Sequence, residues 1–251
     1  MAQRFTDKEL SRYERQFCMD EIGTKGQERL KNARVLVVGA GGLGSPAAFY
    51  LAGAGVGTIG IVDEDIVGLS NLNRQILHGG TRIGRNKAKS AKETLQELND
   101  QIVVEAFPTR LTEENISILL KNYDFVLDCV DNYKTRFLIN DACVKEKKPF
   151  CHGGVLRFEG QVFTYVPGEG PCFRCIFEEE PDAESIATAD QVGILGATAG
   201  VIGSIQALEA IKYILGKGNL LTGRMFIFDG LGMESRIVKF PKASASCICR
   251  E

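Results

Sequence analysis

Val35-Leu-Val-Val-Gly-Ala-Gly-Gly-Leu-Gly44 decides the fold of this chain, together with Ile61-Val-Asp63 further along. The two apolar runs predict buried strands, and the spacing Gly39-x-Gly41-x-x-Gly44 predicts a tight turn that opens a helix. Backbone amides at such a helix start face a phosphate, and Asp63 can accept hydrogen bonds from ribose hydroxyls. The stretch therefore indicates a nucleotide site, without saying which nucleotide is bound.

Strand and helix patterns alternate after this stretch, and they predict an α/β fold. We expect a Rossmann-like, mainly parallel sheet with helices on both faces, continued by an antiparallel C-terminal half. The chain is expected to form one domain over 1–251, with a helical arm (1–32), a nucleotide-binding half (33–152) and an antiparallel half (153–251). The predicted strands are 58–62, 102–107, 125–130, 149–152, 158–166, 225–229 and 235–240, and the predicted helices are 43–54, 85–98, 113–120, 135–146 and 200–215.

Composition excludes several classes of protein. The 251 residues carry a net charge of −2, which argues against a broad nucleic-acid surface. No apolar run reaches the roughly 18 to 20 residues of a membrane span, and Gln206, Glu209 and Lys212 interrupt the nearest candidate. The first residues contain no apolar signal core. We therefore expect a cytoplasmic protein with no membrane partner.

The eight cysteines fall into two groups. Four stand alone, several in apolar runs, and are expected to be buried and inert. Disulfides are rare in the cytoplasm, so the closely spaced cysteines indicate a metal site or chemistry. The isolated cysteines are Cys18, Cys129, Cys143 and Cys151, and the close pairs are Cys172-Phe-Arg-Cys175 and Cys247-Ile-Cys249.

Two polar helices precede the first strand. Thr6 with Glu9, and Thr24 with Gln27, each predict a capping box at a helix start. Such helices are not needed for a minimal nucleotide fold. They form either a solvated arm or a cover for a neighbouring subunit or site.

Several motifs occur in a fixed order along the chain. Each one alone is weak, because the glycine pattern is shared with many dehydrogenases, but the ordered set is specific. The motifs are Arg12-Tyr-Glu-Arg-Gln16, Gly39-Ala-Gly-Gly-Leu-Gly44, Asp63, Ser70-Asn-Leu-Asn-Arg-Gln75, Gly84-Arg-Asn-Lys87, Asp128-Cys-Val-Asp-Asn132, Cys172-x-x-Cys175 and 200–212. With this set, nearly the whole chain resembles the MoeB/ThiF/HesA family, the bacterial relatives of the ubiquitin-activating enzymes.

The resemblance implies an adenylyltransferase that uses ATP and Mg²⁺. Its substrate would be a ubiquitin-like sulfur-carrier protein ending in Gly-Gly, activated for thiamine, molybdopterin or related thiolation. The terminal carboxylate attacks the α-phosphorus, pyrophosphate leaves and an acyl-adenylate remains. A carboxylate is already a nucleophile at neutral pH, so the site must mainly position the polyphosphate and spread its charge. The family also implies a homodimer.

Site roles follow from the resemblance, residue by residue. Arg15 matches an arginine supplied by the other subunit, Asp63 a ribose ligand, and Asp131 a magnesium ligand beside Asn132. The expected catalytic residues are Arg15, Arg74, Lys87 and Asp131; the expected nucleotide-binding residues are Gly39, Gly41, Gly42, Gly44, Asp63, Ser70, Asn71, Leu72, Asn73, Arg74, Lys87, Asp131 and Asn132. The alternatives are structural: a strand-end cap for Asp63, a solvated charge for Lys87 and a surface ion pair for Arg74.

A structural Zn²⁺ is also implied, held by Cys172, Cys175, Cys247 and Cys249. The second pair is one residue shorter than usual, since a full Cys-x-x-Cys would need a cysteine where Ser246 stands. The alternative is an empty tail with reactive thiols.

Ala189 marks a departure from many relatives, which carry a cysteine there that can form a thioester with the carrier. We therefore expect no enzyme-bound thioester in the acidic loop 177–191, and transfer of the adenylate to an external sulfur donor. Alternatively, Ala189 replaces a catalytic cysteine.

Three other functions compete with this prediction. They are adenylation of the tRNA threonylcarbamoyl-adenosine dehydratase type, a nicotinamide-dependent dehydrogenase and a non-enzymatic scaffold. Arg74 and Lys87 suit a triphosphate better than a dinucleotide, and the near-neutral charge argues against tRNA.

Overall fold

A single eight-stranded mixed sheet runs through the computed structural model, which describes residues 5–180, 189–240 and 247–250. The strand order is β3-β2-β1-β4-β5-β6-β7-β8. Neighbouring strands from β3 to β5 are parallel, and those from β5 to β8 are antiparallel. This confirms the predicted fold class. The strands are β1 (Arg34–Val38), β2 (Thr58–Val62), β3 (Val103–Phe107), β4 (Phe125–Asp128), β5 (Phe150–Leu156), β6 (Glu159–Tyr165), β7 (Arg224–Asp229) and β8 (Glu234–Lys239).

Helices cover both faces of the sheet. Those described are α1 (Asp7–Arg12), α2 (Glu14–Phe17), α3 (Gly23–Asn32), α4 (Gly44–Ala54), α5 (Lys87–Leu98), α6 (Glu113–Leu120), α7 (Tyr133–Lys145), α8 (Phe173–Ile176), α9 (Ala189–Val192) and α10 (Gly196–Leu215). Within the described ranges, no helix combines the length and the hydropathy needed to cross a bilayer.

Each face of the sheet has its own apolar core. One core joins the sheet to α3, α4, α5 and α10, and the other joins it to α6, α7 and α8. Small residues bring α10 close to the start of α4: a Cβ on Gly203 would lie 2.3 Å from the carbonyl oxygen of Leu43. Thus a helix from the C-terminal half covers the nucleotide-binding half.

Most predicted boundaries differ from the structure by one or more residues, and two of these differences have a clear cause. β5 continues past residue 152 to Leu156, because β6 folds back and pairs with it along its whole length. α5 begins at Lys87 rather than at 85, since the Asn86 side chain caps it by accepting a hydrogen bond from the Lys89 amide at 3.1 Å. Lys87 is therefore the first residue of its helix.

The N-terminal arm is anchored on the core. The capping box at Thr6 is confirmed, with Thr6 Oγ1 accepting from the Glu9 amide at 3.2 Å and Glu9 accepting from the Thr6 amide at 2.8 Å. The second capping box was wrong: Thr24 lies inside α3, and Gln27 is buried and donates to the carbonyl oxygen of Ala54 at 3.0 Å. Tyr13 is buried as well, so the arm is only partly solvated.

The isolated cysteines are buried at Cys129, Cys143 and Cys151, as predicted, but Cys18 is exposed. Burial raises the pKa of the three buried thiols, which keeps them protonated and unreactive. Cys18 directly follows α2 in the N-terminal arm, outside both cores. The prediction of a buried thiol was therefore wrong for Cys18.

Candidate active site

A cavity of about 640 Å³ opens at the carboxyl ends of β1, β2 and β4. It brings together eight of the predicted residues, namely Gly39, Gly41, Gly42, Asp63, Arg74, Lys87, Asp131 and Asn132. Six others do not line it, namely Arg15, Gly44, Ser70, Asn71, Leu72 and Asn73. Ligands of open parallel sheets bind at this edge, where glycine turns and strand-end acids meet.

The glycine turn is tight because two backbone segments approach without side chains between them. Gly39 has a φ of +96°, and a Cβ there would lie 2.8 Å from the carbonyl oxygen of Cys129. A Cβ on Gly44 would lie 1.8 Å from the carbonyl oxygen of Gly39. Gly44 does not line the cavity. Its role is to let the start of α4 pack directly against the glycine turn.

The peptide groups beside Ala40 are held by two side chains, the half-buried Asp63 and the buried His78. Asp63 Oδ2 accepts from the Ala40 amide at 2.8 Å. His78 Nε2 lies 3.0 Å from the Ala40 carbonyl oxygen, and its Nδ1 lies 2.9 Å from Ser90 Oγ. Since a carbonyl oxygen only accepts, Nε2 carries the proton. Burial lowers the pKa of His78, so the imidazole stays neutral.

Asp63 both caps its strand and faces the cavity. Its Oδ1 accepts from the Asp65 amide at 2.9 Å, so each carboxylate oxygen has one backbone partner and further lone pairs for a ribose hydroxyl. Burial raises the pKa of Asp63, and the charge of Lys87 opposes that rise. Asp63 can therefore cap the end of its strand and bind a ribose hydroxyl at the same time.

Lys87 is a buried cation at the start of α5. Its side chain is only 8% exposed, and Nζ lies 2.9 Å from Asp65 Oδ2. The Lys87 amide also donates to the Asp65 carbonyl oxygen at 2.8 Å. The alternative of a solvated helix charge was thus wrong, and Lys87 places a positive charge inside the cavity wall.

Arg74 is held by its own loop. Its guanidinium donates to the Ser70 carbonyl oxygen at 3.2 Å and to Asn73 Oδ1 at 3.0 Å. Asn71 Oδ1 accepts from the Gly68 amide at 2.9 Å and so fixes the turn before it. The loop from Gly68 to Arg74 therefore orients the Arg74 side chain through contacts outside the cavity. Within the described ranges, no ion pair joins Arg74 to an acid.

Asp131 and Asn132 follow β4 and differ in what they contact. Asn132 caps α7, with Oδ1 accepting from the Thr135 amide at 2.9 Å. Asp131 is exposed, with its Oδ1 3.5 Å from Asn132 Nδ2. The Asp131 carboxylate can therefore take a cation, while Asn132 mainly fixes the loop.

Sequence reasoning missed several cavity residues. Glu64 and Asp65 follow Asp63 directly, and Arg136 lies one helical turn after Asn132, so their positions beside predicted site residues could have revealed them. Arg136 donates to the Val130 carbonyl oxygen at 3.0 Å and lies 5.1 Å from the Tyr133 ring. Arg15 lies exposed on α2 and does not line the cavity of its own chain.

The four paired cysteines form one cluster, with all four sulfur atoms within 4.8 Å of one another. Cys172 Sγ lies 3.4 Å from Cys247 Sγ, and Cys175 Sγ lies 3.6 Å from Cys249 Sγ. Sulfur ligands of a tetrahedral zinc lie about 3.8 Å apart, so the shortened second pair still fits the ion. Burial raises the pKa of the Cys172 thiol, because a buried thiolate is unfavourable. A bound cation would stabilise that thiolate. Ser246 lies outside the described residues.

The acidic loop is described only in part. Residues 181–188 and the side chain of Ala189 lie outside the described residues, and α9 begins at Ala189. The prediction that no thioester forms on this loop stays a prediction.

Comparison with known proteins identifies the family. The model of the ThiF family matches residues 13–249. "Adenylyltransferase and sulfurtransferase MOCS3" of Culex quinquefasciatus is 49% identical over 245 residues, covering 98% of this chain and 56% of the relative. The protein of the same name from Anopheles gambiae is 48% identical over 249 residues, covering 99% of this chain and 56% of the relative. The chain thus spans about half the length of these relatives.

Solved structures share the fold. The crystal structure of PaaA is 25% identical with a TM-score of 0.80, covering 96% of this chain and 76% of that one. E. coli MccB with ATP is 22% identical with a TM-score of 0.78, covering 99% of this chain and 74% of that one. The family match, which extends over nearly all of the chain, and the identity to these relatives lead to one conclusion: the chain belongs to the ThiF family.

Proposed function

We propose that this chain adenylates the C-terminal Gly-Gly carboxylate of a ubiquitin-like sulfur-carrier protein, with ATP and Mg²⁺. The acyl-adenylate would then serve sulfur transfer in molybdopterin, thiamine or related thiolation. One observation carries the proposal: a single cavity brings together the glycine turn, an acid placed for a ribose, several cationic side chains that include Lys87 and Arg74, and the exposed carboxylate of Asp131. The name of the relatives, adenylyltransferase and sulfurtransferase, supports the same reaction class.

The residues of the cavity suit this reaction. Lys87 and Arg74 offer a point charge and a planar fork to the phosphates. Asp131 would hold Mg²⁺, which neutralises phosphate charge when bound. The carrier carboxylate attacks the α-phosphorus, the bond to the bridging oxygen breaks, and pyrophosphate leaves with that oxygen. No base is needed, because the carboxylate is already deprotonated at neutral pH.

Partners and compartment belong to the same proposal. Arg15 would act across a homodimer, because it lies outside the cavity of its own chain. Ala189 would leave the adenylate to an external sulfur donor. The single domain over 1–251 would act in the cytoplasm, which suits eight cysteines without a disulfide in the described parts of the chain. The cysteine cluster would hold zinc in a structural role.

Pyrophosphate exchange tests the proposal. Purified protein, magnesium, ATP and candidate carriers ending in Gly-Gly should incorporate labelled pyrophosphate into ATP. Asp131→Ala should abolish the exchange, whereas Asp100→Ala should not, because Asp100 is an exposed carboxylate just before β3, toward the amino ends of the parallel strands and away from the cavity. The absence of exchange with every carrier, or calorimetric binding of NAD in preference to ATP, would contradict the function. Normal exchange by Asp131→Ala would contradict the magnesium assignment alone.

A further inference from the structure

A buried imidazole–carboxylate pair lies directly beneath the loop that carries Asp131. Asp128 and His152 are register partners on the neighbouring parallel strands β4 and β5. His152 Nδ1 lies 2.7 Å from Asp128 Oδ2, and the two side chains are 0% and 1% exposed. Since a carboxylate only accepts, Nδ1–H is the donor. Neither residue lines the cavity, so the pair acts on it only through other groups.

The other carboxylate oxygen of Asp128 reaches the loop itself. Oδ1 accepts from the Val130 amide at 3.3 Å. The Val130 carbonyl oxygen in turn accepts from Arg136 at 3.0 Å. Asp131 therefore lies between Val130, whose amide is held by Asp128 and whose carbonyl oxygen is held by Arg136, and the helix start capped by Asn132. The orientation of the Asp128 carboxylate sets the path of the backbone into Asp131.

The strand end has little freedom to adjust. From the opposite face, Gln206 Nε2 donates to the Asp128 carbonyl oxygen at 2.8 Å and to the Cys151 carbonyl oxygen at 3.2 Å. The Cys129 carbonyl oxygen lies against Gly39, where a Cβ would come within 2.8 Å of it. A movement of this loop would thus disturb the glycine floor as well as Asp131.

His152 is held in one orientation by aromatic rings. The ring centroids of Phe163, Phe173 and Phe177 lie 5.3, 5.0 and 6.3 Å from that of the imidazole. Its Nε2 has no hydrogen-bond partner among the described residues. The imidazole therefore makes one hydrogen bond, and that bond fixes Oδ2 so that Oδ1 faces the Val130 amide.

We propose that His152 is a positioning residue for the cation site at Asp131: by fixing the Asp128 carboxylate, it sets the loop geometry on which magnesium-dependent nucleotide binding depends. The inference rests on the proposed function for the nucleotide and the cation. A histidine with only a structural role would contribute to stability. It would not change the ratio between the affinities of the protein for ATP with and without magnesium.

Calorimetry of ATP binding, in magnesium and in excess chelator, tests the role without any carrier. The ratio of the two affinities should fall on the order of 10-fold in His152→Leu, the range typical when a group that orients a metal ligand is lost. His152→Asn keeps an N–H donor near the position of Nδ1 and should restore the ratio. Phe163→Leu, a loss in the same aromatic surroundings, should lower stability and leave the ratio unchanged.

His152→Phe, whose ring suits the surrounding phenylalanines, serves as a second variant without the donor if His152→Leu does not fold. An unchanged ratio in either donor-free variant, or an equal fall in Phe163→Leu, would overturn the proposal. So would wild-type binding of ATP that magnesium does not strengthen. Failure of the proposed function is a separate result, seen as wild-type protein that binds magnesium and ATP but exchanges pyrophosphate with no carrier.

Discussion

At the residue scale, two glycines of α4 differ in whether the structure has room for a methyl group. At Gly44 a Cβ would overlap the Gly39 carbonyl oxygen, whereas at Gly53 nothing lies within 4 Å. Gly44→Ala should lower the free energy of unfolding by about 3 kcal/mol or more, since backbone must move. Gly53→Ala, the matched control, should raise it by up to about 1 kcal/mol through helix propensity. Urea denaturation measures both, and equal effects would contradict the close approach.

Burial raises the pKa of Asp63, and the charge of Lys87 limits that rise. Because it removes this charge, Lys87→Met should raise that pKa further. A carboxyl with a raised folded-state pKa stabilises the protein at low pH and loses that contribution as the pH rises through the folded-state pKa. Lys87→Met should therefore destabilise the protein more at pH 7 than at pH 4.

Carboxyl NMR titration of Asp63 measures the shift. Lys89→Met removes an exposed lysine two positions along α5 and should leave the Asp63 titration in place. An Asp63 titration that is the same in Lys87→Met and wild type would disprove the coupling.

At the scale of elements, the cysteine cluster joins α8 to the short 3₁₀ turn over Ile248–Arg250. If zinc binds there, its binding free energy adds to folding. Cys249→Ser should abolish zinc binding and lower the melting temperature by several degrees, since about 1 kcal/mol shifts it by roughly 2 to 4 °C in a chain of this size. Cys18→Ser, at an exposed cysteine, should change neither value.

Metal analysis and thermal scans with and without chelator supply the measurement. Wild-type protein that contains no zinc and melts at the same temperature in chelator would contradict the structural role.

The elements most visible in the sequence were those with a strong local pattern. The apolar runs predicted β2 and α6 at the observed bounds, Thr58–Val62 and Glu113–Leu120. The extension of β5 was missed, because pairing with β6 rather than local pattern determines it. The Asp128–His152 pair was also missed, since 24 residues separate its members in the chain and only the sheet register joins them. The predicted cavity residues all lie in the quoted motifs, whereas the missed Glu64, Asp65 and Arg136 lie next to those motifs in the sequence.

At the scale of the whole molecule, the two halves share one sheet and one covering helix. Ile202, Ala207 and Ala210 of α10 belong to the same core as Ala47 and Leu51 of α4. A fragment of residues 1–152 would expose this surface and should therefore remain unfolded. The intact chain should unfold in one transition.

Far-ultraviolet circular dichroism and tyrosine fluorescence test that cooperativity, and their denaturation curves should coincide. Two separated transitions, or a folded 1–152 fragment, would show that the halves are independent domains.

The two hydrogen bonds that hold Ala40 have a consequence for the thermodynamics of ligand binding. Asp63 holds the amide of this residue and His78 holds its carbonyl oxygen. Since a residue loses about 1 to 2 kcal/mol of backbone conformational entropy when it is ordered, a loop ordered during folding adds no such cost when nucleotide arrives. The conformational entropy of this part of the site is therefore lost on folding and not on nucleotide binding. The affinity for nucleotide then depends on the contacts that the nucleotide makes.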